Sequence, residues 1–193
     1  MSSRVFHFAG GSAGRFLVES MSTVCGAPLP LVERVEIAAG GVPAGFPDAA
    51  WVLRGVTSNE RYVTRDEKGE LVRKQVPLGR GSATRAAIIP IRKTAEWWGL
   101  TQEERREIFE EQSRHIRIGL KSLPAVARRL HHCRDLGEPA AVAEFDFITL
   151  FDYAPEDAGL FEELVAELRA TPEWAYVERE VDLRLCYDPA VSV

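Results

Sequence analysis

The chain has 193 residues, of which 46% are hydrophobic and 27% charged, with a formal net charge of −5. That is enough apolar material for one or two packed domains, and the mild acidity argues against nucleic acid or a polybasic membrane contact. An anionic substrate would have to be drawn by a local positive group. Cys25, Cys133 and Cys186 are scattered with no Cys-x-x-Cys pair, which predicts reduced thiols in a cytoplasmic protein. The opening MSSRVFHFAGGSAG is interrupted by His7 and glycines, so it lacks the apolar stretch of a secretory signal, and the longest apolar runs are too short to span a bilayer.

In chain order, VFHF (5–8) reads as a strand that leaves through the glycines of AGGSAG. GGSAG lacks the Lys-Ser/Thr of a phosphate loop and reads as a turn. VERVEIA (32–38) and AWVLRGVTS (50–58) read as strands, and ERYVTRDEKGELVRKQ as two half-buried strands around an EKGE turn. The first half is thus mostly β, with unassigned connections at PLPL and GGVPAGFP. At Thr101 a capping box with Glu104 opens a helix expected to run as far as Pro124. AVARRLHH then alternates as a strand, with Val126, Arg128, Leu130 and His132 on one face and Arg129, His131 and Cys133 on the other. EFDFITLFDY (144–153) is a strand, PEDAGLFEELVAELRA an amphipathic helix, and AYVEREVDLRLCY (175–187) a strand with alternating Val177, Val181, Leu183 and Leu185. The order helix–strand–strand–helix–strand predicts an α+β fold of ferredoxin-like antiparallel sheets with helices on one face.

The helix after Thr101 should place Ile108, Gln112, His115 and Gly119 on one face. The glycine beside His115 leaves room for a large planar ligand, and Arg128 on the following strand can point back toward it. A neutral imidazole on one side and a guanidinium on the other would fit a haem. A lone helical histidine is also commonly a solvated or core residue. His131 and His132 are adjacent on a strand and cannot share one metal. Trp97 and Trp98 can serve as core or dimer packing.

The segment IPIRKTAEWWGLTQEERREIFEEQSRHIRIGLKSLPAVARRLHHCRDLGEP, with FDFITLFDYAPEDAGLFEELVAELRATPEWAYVEREVDLRL, resembles the chlorite dismutase family, in particular its short, dimeric, cytoplasmic branch. The match is dense from Arg85 to Leu185 and can still be followed through LRGVTSNERYV. The resemblance implies a dimeric α+β barrel type of fold, in which residues 1–100 form a reduced version of the half formed by residues 101–193. It implies one five-coordinate haem b per chain in the second half, a homodimer, and conversion of chlorite to chloride and dioxygen. By the same resemblance His115 is the proximal iron ligand, with Glu173 and Lys93 as its partners. Arg128 is the distal arginine that holds chlorite and hypochlorite, Gln75 orients it, and Tyr62 and Trp97 contact the haem propionates and edge. Without the resemblance, Lys93 and Glu173 would read as a surface ion pair.

The chain departs from the family pattern in two places. AAVAE (140–144) stands between Gly-Glu-Pro and Phe-Asp-Phe, and His131 stands where tyrosine is common. Three other readings compete. A coproporphyrin-iron decarboxylase would lack the distal arginine, a peroxidase-like enzyme would need a distal base, and a haem carrier or sensor would need no anion clamp.

Overall fold

The computed structural model describes residues 4–41, 46, 48–57, 61–137 and 144–191. Most of the AAVAE insertion and part of the GGVPAGFP connection lie outside these. Eight strands carry the chain: β1 (Val5–Gly11), β2 (Phe16–Cys25), β3 (Arg34–Ala39), β4 (Trp51–Thr57), β5 (Arg85–Lys93), β6 (Ala127–His132), β7 (Phe147–Tyr153) and β8 (Val177–Tyr187). They close into one barrel in the order β1-β3-β2-β8-β5-β7-β6-β4, and every pairing is antiparallel. The architecture is mixed α and β with an antiparallel sheet, as expected, but it is a single closed barrel. No helix among the described residues is long and apolar enough to cross a membrane.

Strand alternation divides the side chains between the barrel interior and its outer face. Phe8, Leu53, Ala86, Ile88, Ile148, Leu150, Val181, Leu183 and Leu185 fill the inside and are almost fully buried. Ala87, Ile89 and Phe151 point outward from the same strands. There they meet α5 (Ala158–Arg169), which buries Phe161, Leu164, Val165 and Leu168 at helical spacing. Each such side chain contributes about 1.5–3 kcal/mol of hydrophobic stabilisation. Pro90 is tolerated inside β5 because pairing with β8 lapses between Ile88 and Ile91.

Three expectations for the first half change. β1 does not leave at AGG but continues to Gly11, because these glycines serve packing: a side chain at Gly10 would overlap the Trp51 indole. β2, unassigned from sequence, is bulged at two points and mostly exposed, so its alternation is blurred. The proposed EKGE hairpin is instead a helix, α1 (Arg65–Lys74). Thr64 and Glu67 cap each other's backbone at 3.3 and 2.6 Å, Asp66 and Glu67 sit in the first turn, and Leu71 is its buried residue.

His131 lies inside the barrel between Phe6 and Phe8, fully buried, with Nδ1 on the Ile148 carbonyl at 3.1 Å and Nε2 unpaired. Desolvation lowers its pKa to about 4, and that of His132 likewise. Because both folded values lie below the unfolded value near 6.5, the unfolded chain binds more protons between those pH values. Stability should therefore fall as pH drops from 6.5 toward 4, by about 2 kcal/mol per histidine at pH 5. Urea unfolding of wild type and His131→Phe at pH 7 and pH 5 checks this: the variant should lose less stability on acidification. An equal loss in both would remove His131 from the acid limb.

Candidate active site

The site is built where the long helix expected after Thr101 fails to stay one helix. The capping box forms, at 2.7 and 3.2 Å, and opens α3 (Gln102–Arg106), after α2 (Ala95–Gly99). A π-helical turn then spans Glu107–Gln112, Arg114 takes a left-handed φ of 54°, and α4 (His115–Lys121) starts afresh at His115. Two buried side chains hold this break. The Glu110 carboxylate accepts from the Ile116 backbone N–H at 2.7 Å, capping α4, and Ser113 Oγ accepts from the Glu173 N–H at 2.9 Å. The expected common face of Ile108, Gln112, His115 and Gly119 is thereby corrected. His115 and Gly119 share a cavity wall with Phe109, while Ile108 is buried and Gln112 is exposed.

Behind His115 the charges are paired and buried. His115 Nδ1 lies 2.6 Å from Glu173 Oε2, and Lys93 Nζ donates to Glu173 Oε1 at 2.7 Å. Glu173 and Lys93 are each 3% exposed, so the pair is not the surface pair that spacing alone allows. Burial by itself would push the Glu173 carboxyl up, but His115 and Lys93, each against one of its oxygens, outweigh it and bring the pKa down to about 2. Lys93 Nζ also stands 4.5 Å from the Trp97 ring centre. The turn Pro172–Tyr176 that carries Glu173 is tied down by Trp174, whose indole N–H donates to Glu180 at 2.8 Å.

In front of His115 lies a cavity of about 430 Å³ between the helices and the outer face of β4–β7, within the usual size of small-molecule sites. Its walls include Ile89, Ile91, Leu130, Phe147, Phe151 and Leu168. The second ring nitrogen of His115 has no hydrogen-bond partner among the described residues. Phe109 stacks on the imidazole at 4.2 Å between ring centres. Opposite, Arg128 projects from β6 against Gly119, where even a methyl group would overlap the guanidinium. Among the described residues Arg128 has no ion-pair or hydrogen-bond partner, and desolvation draws its pKa to about 10, which leaves it charged at pH 7.

The structure brings His115, Lys93, Glu173, Tyr62, Trp97, Gln75 and Arg128 to this one cavity. Tyr62 sits edge-on to Trp97 with ring centres 6.4 Å apart, and Trp97 is 2% exposed with its indole N–H unpaired. Gln75 lies at the C-terminal end of α1, and its amide donates to the Val76 carbonyl at 2.7 Å. Phe109, Ser113 and Glu110 were not found from sequence. Ser113 meets Glu173 across sixty residues, and no local pattern signals such a contact.

No cluster of three or more His, Cys, Asp or Glu suited to a metal occurs among the described residues, so a metal here would come with ligands of its own. The room expected beside Gly119 is taken by the Arg128 guanidinium, but a free His115 ring nitrogen, an apolar slot and an unpaired arginine fit a metalloporphyrin. If such a group is bound, replacing Glu173 by Gln should raise its ferric/ferrous potential, because an amide enriches the imidazole less than a carboxylate does. Glu173→Ala should in addition destabilise the fold by about 3–5 kcal/mol by leaving buried Lys93 unpaired. Potentiometry and urea unfolding check both, and an unchanged potential in Glu173→Gln would argue against the His115–Glu173 bond as a tuning contact.

The fold and site together define a barrel protein with a pocket on its outer face, lined by a carboxylate-backed histidine and an unpaired arginine. The chlorite dismutase family model matches residues 42–188. A chlorite dismutase of Ideonella dechloratans is 32% identical over 133 residues, which are 68% of this chain and 43% of that protein. The chain thus aligns with under half the length of that relative. A dimeric chlorite dismutase of Nitrobacter winogradskyi superposes with a TM-score of 0.83 at 53% identity, covering 94% of this chain and 99% of that one. A chlorite dismutase of Candidatus Nitrospira defluvii in complex with imidazole, at 21% identity, shares the fold with a TM-score of 0.62 over 95% of this chain and 91% of its own. The chain belongs to the chlorite dismutase family.

Proposed function

We propose that this chain is a haem b enzyme that converts chlorite to chloride and dioxygen. The observation that carries the reading is Arg128: a half-buried guanidinium with no partner among the described residues, on the wall of the apolar cavity that His115 also lines. An unpaired cation drawn partly out of water is costly unless an anion completes it, and a haem carrier would have no use for one. His115 would ligate the iron, Glu173 would accept its Nδ1–H, and Lys93 would balance the carboxylate. Tyr62 and Trp97 would pack on the periphery of the group. Haem, if bound, would supply the iron chemistry by which the two Cl–O bonds of chlorite are exchanged for the O–O bond of dioxygen, with chloride as the leaving group.

Arg128 binds the incoming chlorite and retains the hypochlorite released by the first cleavage until both oxygens leave as O2. Gln75, neutral and on the same cavity, orients the guanidinium without competing charge. The cavity walls are largely apolar but include the oxidisable Tyr62, Trp97 and Trp174, so retention of hypochlorite by Arg128 would also protect the site.

We further infer that the two halves of the barrel repeat one ferredoxin-like arrangement. The strand order β4-β1-β3-β2 in the first half matches β6… read in the same sense, β8-β5-β7-β6, in the second. Among the described residues the first half carries no helix between its strands, which makes it the reduced copy. On this reading the halves of residues 1–100 and 101–193 would meet ahead of β5, whose pairing with β7 and β8 supports assigning it to the second half. A cytoplasmic homodimer is part of the same proposal.

An oxygen electrode on haem-loaded protein tests the activity. Addition of chlorite should release oxygen promptly, and hydrogen peroxide should not be a comparable substrate. A haem-replete protein that releases no oxygen from chlorite would overturn the proposal in favour of a carrier or a porphyrin-modifying enzyme.

A further inference from the structure

The cavity has a second polar region, on β6 but away from Arg128. His132 is 3% exposed, and its Nε2 is buried without a hydrogen-bond partner among the described residues. It faces the cavity on the same strand face as Arg128 and Leu130, and its ring stands edge-on to Phe147 at 5.2 Å. Four residues of strand separate it from Arg128, about 13 Å, so the two positions cannot serve one small anion.

Arg61 also lines the cavity and is close enough that its charge, after burial, helps keep His132 neutral. Its guanidinium is bound to Asp135 at 2.6 and 2.7 Å in a half-exposed pair, with the two side chains 39% and 30% exposed. A cation at the solvent side, a neutral imidazole with an unpaired nitrogen beside it, and apolar walls beyond suit a flat ligand with an acidic edge. A purely apolar ligand would leave the His132 nitrogen unsatisfied, at a cost typical of any buried polar group.

We infer that His132 and Arg61 form a carboxylate subsite, in which His132 Nε2–H donates to an acidic side arm of the cofactor and Arg61, now paired with Asp135, turns to share its charge with that arm. The inference rests on the haem reading above and extends it: the subsite fixes which edge of the porphyrin faces solvent. His132 is then a binding residue that the Lys93, Glu173 and His115 cluster does not account for.

The probes are haem and its dimethyl ester, whose side arms carry no charge. Each is loaded into wild type, His132→Phe and His132→Gln, and loss to an excess of a haem-scavenging globin is timed. Wild type should hold haem more tightly than the ester, by roughly tenfold or more, the scale of one charge-assisted hydrogen bond. His132→Phe should lose haem faster by a similar factor and lose the ester at the wild-type rate. His132→Gln should recover part of the difference, because its amide can still donate. The Soret band should be alike in all three, since no iron ligand changes.

Equal rates of haem loss from wild type and His132→Phe would overturn the subsite, as would equal discrimination against the ester by both. Failure of wild type to take up either probe would overturn the haem reading itself, and the subsite with it.

Discussion

If the cavity takes haem as proposed, replacing His115 by Ala should abolish its binding. Of the two imidazoles on the cavity, His115 and His132, only His115 has its Nδ1 against a buried carboxylate, that of Glu173, and among the described residues no cluster of His, Cys, Asp or Glu could substitute as a ligand set. Loss of even an outer partner of a metal ligand weakens binding by about 10–100-fold, so loss of the ligand should exceed about 100-fold. The fold should persist, because His115 is partly open to the cavity, with its side chain 29% exposed, and makes no backbone-capping bond. Absorption titration of His115→Ala with haem checks this. The five-coordinate ferric spectrum should be absent and should return in part when imidazole is added to fill the vacated space. A variant that binds haem with the wild-type spectrum would place the iron ligand elsewhere.

Arg128→Ala should have the second largest effect, and a different one. No iron ligand is lost, so haem content should match wild type. Chlorite turnover and the affinity for cyanide or fluoride should fall by roughly tenfold to 150-fold, the equivalent of a charged hydrogen bond worth about 1.5–3 kcal/mol. Hypochlorite should also escape more often before the oxygens combine. Monochlorodimedone in the assay should therefore be chlorinated more per O2 released, and the variant should bleach sooner. Arg128→Lys should fall between the two, since an ammonium keeps the charge but loses the planar fork. Wild-type turnover, anion affinity and trapping in Arg128→Ala would show that the guanidinium does not face the reacting anion.

What the sequence disclosed depended on how local each feature is. α5 and β6–β8 were legible because their apolar spacing is regular and their ends carry Pro155 and a clear polar break. The 60–75 stretch was misread because its apolar residues, Tyr62, Val63, Leu71 and Val72, are too few to separate a hairpin from a helix. The Thr64–Glu67 capping box was the stronger signal there. The break at Arg114 has no periodic signature, since it is held by Glu110 and by a contact from Ser113 to distant Glu173. The His115–Glu173–Lys93 line joins residues 58 and 80 positions apart, which spacing cannot reveal and resemblance to long family motifs could. That Arg128 points from its strand back toward α4 was readable from alternation, but its packing directly on Gly119, where room for a planar ligand was expected, was not.

The most direct measurement on the central claim follows the oxygen atoms. Chlorite labelled with heavy oxygen is supplied to the haem-loaded protein in ordinary water, and the gas is analysed by mass spectrometry alongside chloride. The account predicts one O2 per chloride, with both oxygens carrying the label, because the two atoms of one chlorite are joined within the pocket beneath Arg128. Dioxygen that carries one oxygen from water, or chloride formed without dioxygen, would contradict it.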